Sequence, residues 1–527
     1  MLATLLSATL VGLDGRVIRV EVDVAGGLPG FTIVGLADAA LQEARERVRG
    51  AIRNAGFIHP PRRITVNLAP AEQRKAGASL DLAIALGILL GSEQVRASPE
   101  RIALIGELSL GGEVRAVPGV LPMVAALARR GLRRVVVPAD CIDEAGLVGG
   151  IEAVAVGTLR DAAELVRRRA GRRAVTIPPR VDLGGEPAPG GAAAGVPAVP
   201  ATTVPLQLAD LSEVRGQLEA RRGLEIALAG GHGLLLVGPP GSGKTLLART
   251  IPGLLPPLGD AEALAATIVA SVAGDAPRAL VRQAPVRAPH HTLSYAAMVG
   301  GGPRMSPGEV TLADHGVLFL DELPEFSRDV LEALRQPLED GRVSVSRVGR
   351  ATTFPARFQL VAAMNPCPCG MAGDPSGRCQ CAPLLPERYT GRVSGPLRDR
   401  IDLWVTLPKV PPAALMTGVE PESSATVGAR IATARTRQRR RSSGARLNGR
   451  VSGRELRRIC SLGTIANRRA IELAEMEGLS GRGTERLLRV ARTIADLAGE
   501  SAVLGEHLEE AARFRSPMSR LAAREAS

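Results

Sequence analysis

GLLLVGPPGSGKT, residues 233–245, decides the fold. Leu234, Leu235, Leu236 and Val237 make a short buried strand, and the loop after them fits G-x-x-x-x-G-K-[ST], with a helix opening at Leu246. Gly238, Pro239, Pro240, Gly241, Ser242 and Gly243 let the chain wrap phosphates with backbone N–H groups pointing inward. Lys244 then reaches the β- and γ-phosphates, and the Thr245 hydroxyl ligates Mg²⁺. Strand, glycine-rich loop and helix in that order predict an α/β core that binds ATP.

Working outward, two more apolar runs end in polar residues. VLFLDE (317–322) predicts a second buried strand with acids at its carboxyl edge. Asp321 is placed to hold Mg²⁺ and Glu322 to polarise the attacking water. The alternative is that the pair only caps the following helix, which four consecutive apolar residues argue against. FQLVAA (358–363) predicts a third strand, ending in Met364 and Asn365, where a polar side chain can hydrogen-bond the γ-phosphate or the water.

Directly after it, Cys367, Cys369, Cys379 and Cys381 form a C-x-C-x9-C-x-C array in a segment of prolines and glycines. Such a segment has no apolar core of its own, and four thiolates on a structural zinc ion would order it. A redox pair or unligated thiols are the alternatives. Cys141 and Cys460 stand alone and are expected in the core.

The chain has 527 residues, enough for several domains, and 45% of them are hydrophobic. Aromatic residues make up only 2%, which argues against nucleic-acid binding by base stacking. Residues 1–172 alternate strands and helices: a first strand within 1–13, a half-buried strand at 17–24, a helix at 39–55, a strand at 64–68, a helix at 79–90, and short strands at 135–137 and 153–156. Residues 173–205, rich in Pro, Gly and Ala, are a linker. The motifs lie in 206–408, and 426–522 is all helical. The formal charge is +13, and residues 430–450 hold eight arginines and no acid. That cluster predicts a polyanionic partner, nucleic acid before membrane, against the alternative of a solvated arginine-rich helix. No run of eighteen apolar residues spans a membrane and the start lacks a basic leader, so the expected location is cytoplasmic. Between the first two motifs, residues 286–309 (VRAPHHTLSYAAMVGGGPRMSPGE) read as a functional loop, in which His290 and His291 are polar loop residues rather than metal ligands. Residues 338–354 read as a β-hairpin carrying Arg342, Arg347 and Arg350.

The three strand ends resemble the Walker A, Walker B and sensor 1 elements of AAA+ ATPases, with Asn365 as sensor 1. APHHT, VLFLDELPEF, NPCPCG, SGPLRDRIDL and VARTIADL, in this order over nearly the whole chain, resemble the ComM/YifB family of magnesium-chelatase-like AAA+ proteins. The resemblance implies a Lon-protease-like N-terminal α/β domain, an AAA+ P-loop core with the four-cysteine insert, and a helical C-terminal lid domain. It implies Arg400 as an arginine finger toward a neighbour's ATP, and Gly216 and Gln217 at the adenine. Arg482 is the sensor 2 arginine it suggests, with Arg486 second. Inserts such as 338–354 resemble the pore loops of the magnesium-chelatase and MCM branch. The family's Ser-Lys protease pair would fall at Ser79 and at Pro122, and proline is no base; Lys75 has the wrong spacing. The N-terminal domain is therefore expected to be proteolytically inactive. The implied activity is that of a ring, usually hexameric, which hydrolyses ATP and acts on DNA as a helicase in branch migration during natural transformation. A magnesium-chelatase-type motor or a protein-remodelling ATPase is the alternative.

Overall fold

The computed structural model describes residues 1–35, 39–70, 77–96, 102–167, 208–302, 305–347, 350–372, 377–411, 421–442 and 446–515. The expected linker, Lys75 and the last residues of the expected helical region lie outside the described residues, as do the side chains of Arg347 and Arg350.

The N-terminal unit is a mixed sheet of seven strands. It contains β1 (Leu2–Val11), β2 (Asp14–Ala25), β3 (Gly30–Val34), β4 (Arg63–Ala69) and β5 (Ile102–Leu104); β6 (Glu107–Leu108) and β7 (Val114–Arg115) form a separate small hairpin, and β8 (Arg134–Pro138) and β9 (Glu152–Val156) complete the sheet. The order is β3-β4-β2-β1-β5-β8-β9. The alternation read at 17–24 appears as Ile18, Val20, Val22 and Val24, all buried. They pack beneath α1 (Ala39–Asn54), α2 (Asp81–Gly91) and α5 (Leu159–Arg167), while α3 (Val120–Arg129) and α4 (Ile142–Gly146) cover the other face. Every residue of α2 is buried, which explains the unbroken apolar run LAIALGILLG after Asp81, whose carboxylate is paired with Arg47 (2.7 Å).

The second sheet is wholly parallel. Its strands are β10 (Leu234–Val237), β11 (Val286–Arg287), β14 (Val317–Leu320), β17 (Gln359–Met364) and β18 (Leu403–Thr406), in the order β11-β14-β17-β10-β18. Two short hairpins interrupt this sequence, β12 (Gly300–Gly301) with β13 (Ser306–Pro307), and β15 (Arg342–Arg347) with β16 (Arg350–Pro355). Parallel strands buried on both faces need continuous apolar runs, which is what LLLV, VLFL and QLVAAM supply. Leu234, Leu236, Phe319, Val361 and Val405 face α6 (Leu218–Gly230) and the C-terminal helices. Leu235, Leu318, Leu320, Leu360 and Trp404 face the segment that carries both hairpins.

Further helices follow β10 as α7 (Lys244–Arg249), α8 (Ile251–Leu254) and α9 (Asp260–Ala273). Beyond β11 come α10 (Tyr295–Val299), α11 (Glu309–Leu312), α12 (Arg328–Ala333), α13 (Arg335–Asp340), α14 (Leu385–Thr390) and α15 (Gly395–Arg398). The C-terminal helices are α16 (Ser424–Arg441), α17 (Gly453–Cys460), α18 (Thr464–Met476), α19 (Gly481–Ala498) and α20 (Gly505–Arg513). A buried polar chain ties them to the core. His232 lies between Asp402 (3.1 Å) and Thr493 (2.7 Å), and Asn448 donates to Thr493 (3.0 Å) and Asp496 (2.8 Å).

The N-terminal unit docks on the core through α3 and α9. Gly119 N–H donates to the Ser271 carbonyl (2.8 Å), and the buried Glu144 accepts from Leu121 N–H (2.8 Å) and from the Ser271 hydroxyl. Leu13, in the β1–β2 turn, packs against the same cluster as Val345 of β15. Burial pushes the Glu144 carboxyl above the usual glutamate range, although both hydrogen bonds pull the other way. A folded-state pKa raised in this way gives stability that is full below the ordinary glutamate value and is lost as pH climbs through the raised one. Glu144→Ala strands two buried donors and is expected to cost about 1–3 kcal/mol, seen as a lower thermal midpoint of the full chain. Glu144→Gln keeps an acceptor and is expected to lose less, with its deficit shrinking as pH is raised from 4 toward 7.

Candidate nucleotide-binding site

Val237 is paired with Met364 on one side and Thr406 on the other, so the loop after β10 emerges beside the residues that follow β17. β14 lies next in the sheet, and its carboxyl end points the same way. Gly241 (φ +74°) and Gly243 (φ +93°) take left-handed conformations that turn the loop back over the strand ends. Lys244 Nζ donates to the Gly238 carbonyl (2.7 Å), the Pro239 carbonyl (2.9 Å) and Asn365 Oδ1 (3.1 Å). Thr245 Oγ1 donates to Asp321 Oδ2 (2.7 Å). The four residues expected at phosphate and Mg²⁺ are thus brought together. Burial lowers the Lys244 pKa, with Asp321 and Glu322 opposing it, so the ammonium is poorly compensated and suited to an incoming polyphosphate. The Thr245 hydroxyl and the Asp321 carboxylate offer two oxygens at one point, the donor set Mg²⁺ takes beside substrate phosphates.

Glu322 sits at φ +52°, a left-handed conformation that is strained for a side chain of its size. Its carboxylate is half exposed at the mouth of the site, with Oε2 3.4 Å from His291 Nδ1. Gln217 Nε2 donates to the Ser242 carbonyl (3.0 Å) and the Pro408 carbonyl (2.6 Å), so Gly216 and Gln217 lie against the phosphate loop.

The cysteine insert rests on this loop. Its four sulfurs lie within 4.8 Å of one another, with separations of 3.3, 3.6 and 3.9 Å among Cys367, Cys369 and Cys379. Sulfurs about 2.3 Å from a tetrahedral zinc ion stand about 3.8 Å apart, so the donor set fits that metal. Backbone N–H groups of Met371 and Gln380 lead the causes that hold the Cys369 thiol down to about 6, in the manner of outer-shell donors around a thiolate ligand. Gly370 is left-handed at φ +79°, and a Cβ there would fall 2.4 Å from Pro240 Cδ, so the insert packs against the nucleotide loop with no room between. Cys141 and Cys460 are buried and their thiols are pushed up to about 12, as core residues.

Arg400 and Arg482 stand at the opposite end of the sheet. The Arg400 carbonyl abuts Gly233, the residue before β10, whereas the phosphate loop starts at Gly238; five strand residues put about 17 Å between them. Arg400 donates to the Pro396 carbonyl (2.8 Å) and pairs with Glu339. Arg400 leads, and Arg482 adds to, the causes that hold Glu339 below the usual glutamate range, so the two arginines share one acidic neighbour. Arg486, on the same helix as Arg482, reaches Asp399 at 3.4 Å. The three form one basic edge away from this chain's own phosphate loop.

Six of the eight arginines of 430–450 have hydrogen-bond or ion-pair partners within the fold, which the sequence reading did not anticipate. Arg430 pairs with Glu225 (2.7 Å) and Glu422 (2.6 Å), Arg439 with Glu262 (2.8 Å), and Arg441 with Asp496 (2.7 Å). Arg437 and Arg450 donate to the Asp496 and Phe358 carbonyls at 2.5 and 3.3 Å. Arg435 donates to the Leu228 carbonyl (2.6 Å), and burial pushes its guanidinium down to about 10. Acids distant in sequence meet this helix in space. Arg342 of the β15–β16 hairpin is exposed.

Ser79 Oγ donates to the Ala8 carbonyl (3.0 Å), and Pro122 is buried in α3. Among the described residues the four cysteines are the one cluster of three or more His, Cys, Asp or Glu side chains close enough to share a metal ion, and His290 instead contacts Thr292 Oγ1 (3.0 Å). Sequence reasoning missed the His232–Asp402–Thr493 chain and the His291–Glu322 contact; no spacing rule links residues so far apart.

Three family models match the chain: magnesium chelatase subunit ChlI over 210–415, subunit ChlI of Mg-chelatase over 20–141, and the ChlI C-terminal model over 421–515. YifB of Escherichia coli K12 is 43% identical, covering 96% of this chain and 95% of its own length. The Rv2897c protein of Mycobacterium tuberculosis H37Rv is 44% identical, over 98% of both chains. Competence protein ComM of Haemophilus influenzae is 40% identical, over 98% of this chain and 97% of its own. With relatives this similar along nearly its whole length, the chain belongs to the magnesium-chelatase-like ComM/YifB family.

Proposed function

We propose that this protein hydrolyses ATP between adjoining subunits of a ring and uses the energy to move along or remodel DNA, as a helicase or branch-migration factor. The observation that carries the reading is the convergence of Lys244 with Asn365 and of Thr245 with Asp321 at one end of the parallel sheet. Lys244 and the loop amides would bind the β- and γ-phosphates, and Thr245 and Asp321 would hold Mg²⁺, which supplies charge neutralisation when bound. Glu322 would take the proton of the attacking water as its oxygen bonds to the γ-phosphorus and the bond to ADP breaks. Asn365 would hold the γ-phosphate in line. Arg400 and Arg482, remote from their own loop, would serve the neighbour's nucleotide.

DNA contact falls to the two insert hairpins before α16, five of whose six arginines have partners within the fold. The exposed Arg342 and the basic sequence beside it suit phosphates without strong sequence preference. The name of the competence relative agrees with a role in the uptake or recombination of DNA. The N-terminal unit would serve assembly and not proteolysis, since Ser79 meets a carbonyl and the partner position holds Pro122.

The central measurement is ATPase rate with and without single-stranded and branched DNA. Hydrolysis is expected to rise with DNA, and Glu322→Gln to lower it about 10²–10⁴-fold while nucleotide still binds. Hydrolysis indifferent to every DNA tested would favour the chelatase-type or protein-remodelling alternative. Arg400→Ala is expected to cut turnover about 10³-fold or more. Mixing it with Lys244→Ala chains, which are inactive alone but bring an intact Arg400, is expected to restore part of the rate; no restoration would place Arg400 outside the neighbour's site. Metal analysis of the purified chain is expected to find about one zinc per chain, lost in a Cys369→Ser, Cys379→Ser double variant.

A further inference from the structure

We propose that the four-cysteine insert is a metal-dependent brace for the phosphate loop, in which Gly370 is a positioning residue that sets the place of Pro240 and with it the affinity for ATP. The inference rests on the readings of residues 238–245 as the nucleotide loop and of the four sulfurs as a metal site, and adds a connection between the two.

The insert begins just past Asn365, whose Oδ1 accepts from Lys244 Nζ (3.1 Å). Cys367 and Cys369 stand on one tight turn, closed by Gly370 N–H donating to the Cys367 carbonyl (2.9 Å), and Ala372 N–H donates to Cys367 Sγ (3.3 Å). Among the described residues of 366–383, only Cys367 and Gly370 are buried. Apolar packing therefore contributes little to holding this turn. The opposite arm supplies Cys379 and Cys381, whose sulfurs close on those of the turn. A metal ion on all four would tie the turn to that arm, as structural zinc does where a core is lacking.

The turn meets the loop at one point. A Cβ on Gly370 would stand 2.4 Å from Pro240 Cδ and 2.8 Å from Pro240 Cγ. Those atoms belong to a ring closed on the backbone nitrogen, so they have no rotamer by which to yield, and the loop backbone moves with them. Pro239, the residue before, also has a fixed φ, and its carbonyl accepts from Lys244 Nζ (2.9 Å). Gly241, the residue after, takes φ +74° where the loop turns back. A displacement of Pro240 is therefore passed to its neighbours and not absorbed. The brace thus acts on the phosphate-wrapping amides and on Lys244 from outside the nucleotide site.

The test measures the Kd of a fluorescent ATP analogue, with Mg²⁺ present, for the wild-type chain, Gly370→Ala, Pro240→Ala and the double variant, each with its zinc content. Gly370→Ala is expected to keep its zinc and to bind the analogue about tenfold more weakly, the size of one overpacked methyl. KM for ATP is expected to rise with Kd, and kcat to change less. Pro240→Ala removes the two ring carbons in the way, so the double variant is expected to bind more tightly than Gly370→Ala, an outcome that general loss of folding would not give. Stripping zinc from the wild-type chain with phenanthroline, which takes zinc in preference to Mg²⁺, is expected to weaken binding by a similar factor, and adding zinc back to restore it. In Gly370→Ala the same treatment is expected to add little, because the contact is already disturbed. An unchanged Kd in Gly370→Ala or in the zinc-free wild-type chain overturns the proposal, and so does a double variant that binds no better than Gly370→Ala. A wild-type chain that binds ATP but takes up no zinc overturns the brace and leaves the nucleotide reading standing. A chain that holds zinc and binds no ATP overturns the nucleotide reading, and the brace with it.

Discussion

The position of β10 between β17 and β18 is the constraint on which the rest of the site depends. Connections leave the sheet in opposite directions on the two sides of β10, and this reversal opens a crevice at the carboxyl ends of the strands. Pairing of Val237 with Met364 then places Asn365 level with the start of the phosphate loop. Because Leu320 of β14 is paired with Ala362, Asp321 comes up beside the same level, within reach of Thr245. A slip of one residue in either ladder would carry these side chains to the wrong face or depth. The chemistry is thus set by backbone hydrogen bonds among β10, β14 and β17, which are apolar except for Gln359 at the start of β17, and each polar group of the site stands just past a strand end.

Around this frame the chain uses charge for internal specificity. Arg435, Arg492 and Asp496 are buried, and Asp496 accepts from Arg441, Arg492 and Asn448 at once. Burying ions costs several kcal/mol each, and their attraction offsets the cost only when every polar atom finds a partner. Here Arg441 Nε and Arg492 Nε are buried without a hydrogen-bond partner, so the network adds little net stability but admits few alternative dockings of the C-terminal helices on the core. The same logic applies to Glu144 at the other interface, where burial outweighs two hydrogen bonds. A basic composition is therefore a weak guide to where a polyanion binds.

The parts legible in the sequence were those with a local cause. A glycine loop after an apolar run, a period-two alternation at 17–24, and a four-cysteine array each announce themselves within a few residues, and the structure places them as expected. The edge strand β3 was not legible, since Gly30–Val34 is a short half-exposed run between Gly26-Gly27-Leu28-Pro29 and Gly35 and reads as part of one long loop. The internal pairing of the arginine-rich helix was not legible because Glu225, Glu262 and Asp496 lie between 55 and 205 positions from their partners. Charge is additive along a sequence, whereas solvation depends on which acids the fold brings opposite. The His291–Glu322 contact was hidden for the same reason: each residue belongs to a different strand end, and only the parallel order of β11 and β14 sets them side by side.

The two ends of the core impose different demands on it. At the carboxyl end the loop, Asp321, Glu322 and Asn365 make a site with no arginine of its own among the residues that meet Lys244 and Thr245. At the amino end Arg400, Arg482 and Arg486 gather around Glu339 and Asp399, where no phosphate-binding loop is present. Since a β-strand is stiff and an arginine side chain spans well under the length of β10, folding motions within one chain do not close that gap. Charge that develops on a γ-phosphate at one end can be met by these guanidinium groups only if the amino end of one core faces the carboxyl end of another. On the function proposed above, each end would be half of a phosphoryl-transfer site, and a head-to-tail arrangement of identical cores would complete every site but the last, which a closed ring would also complete.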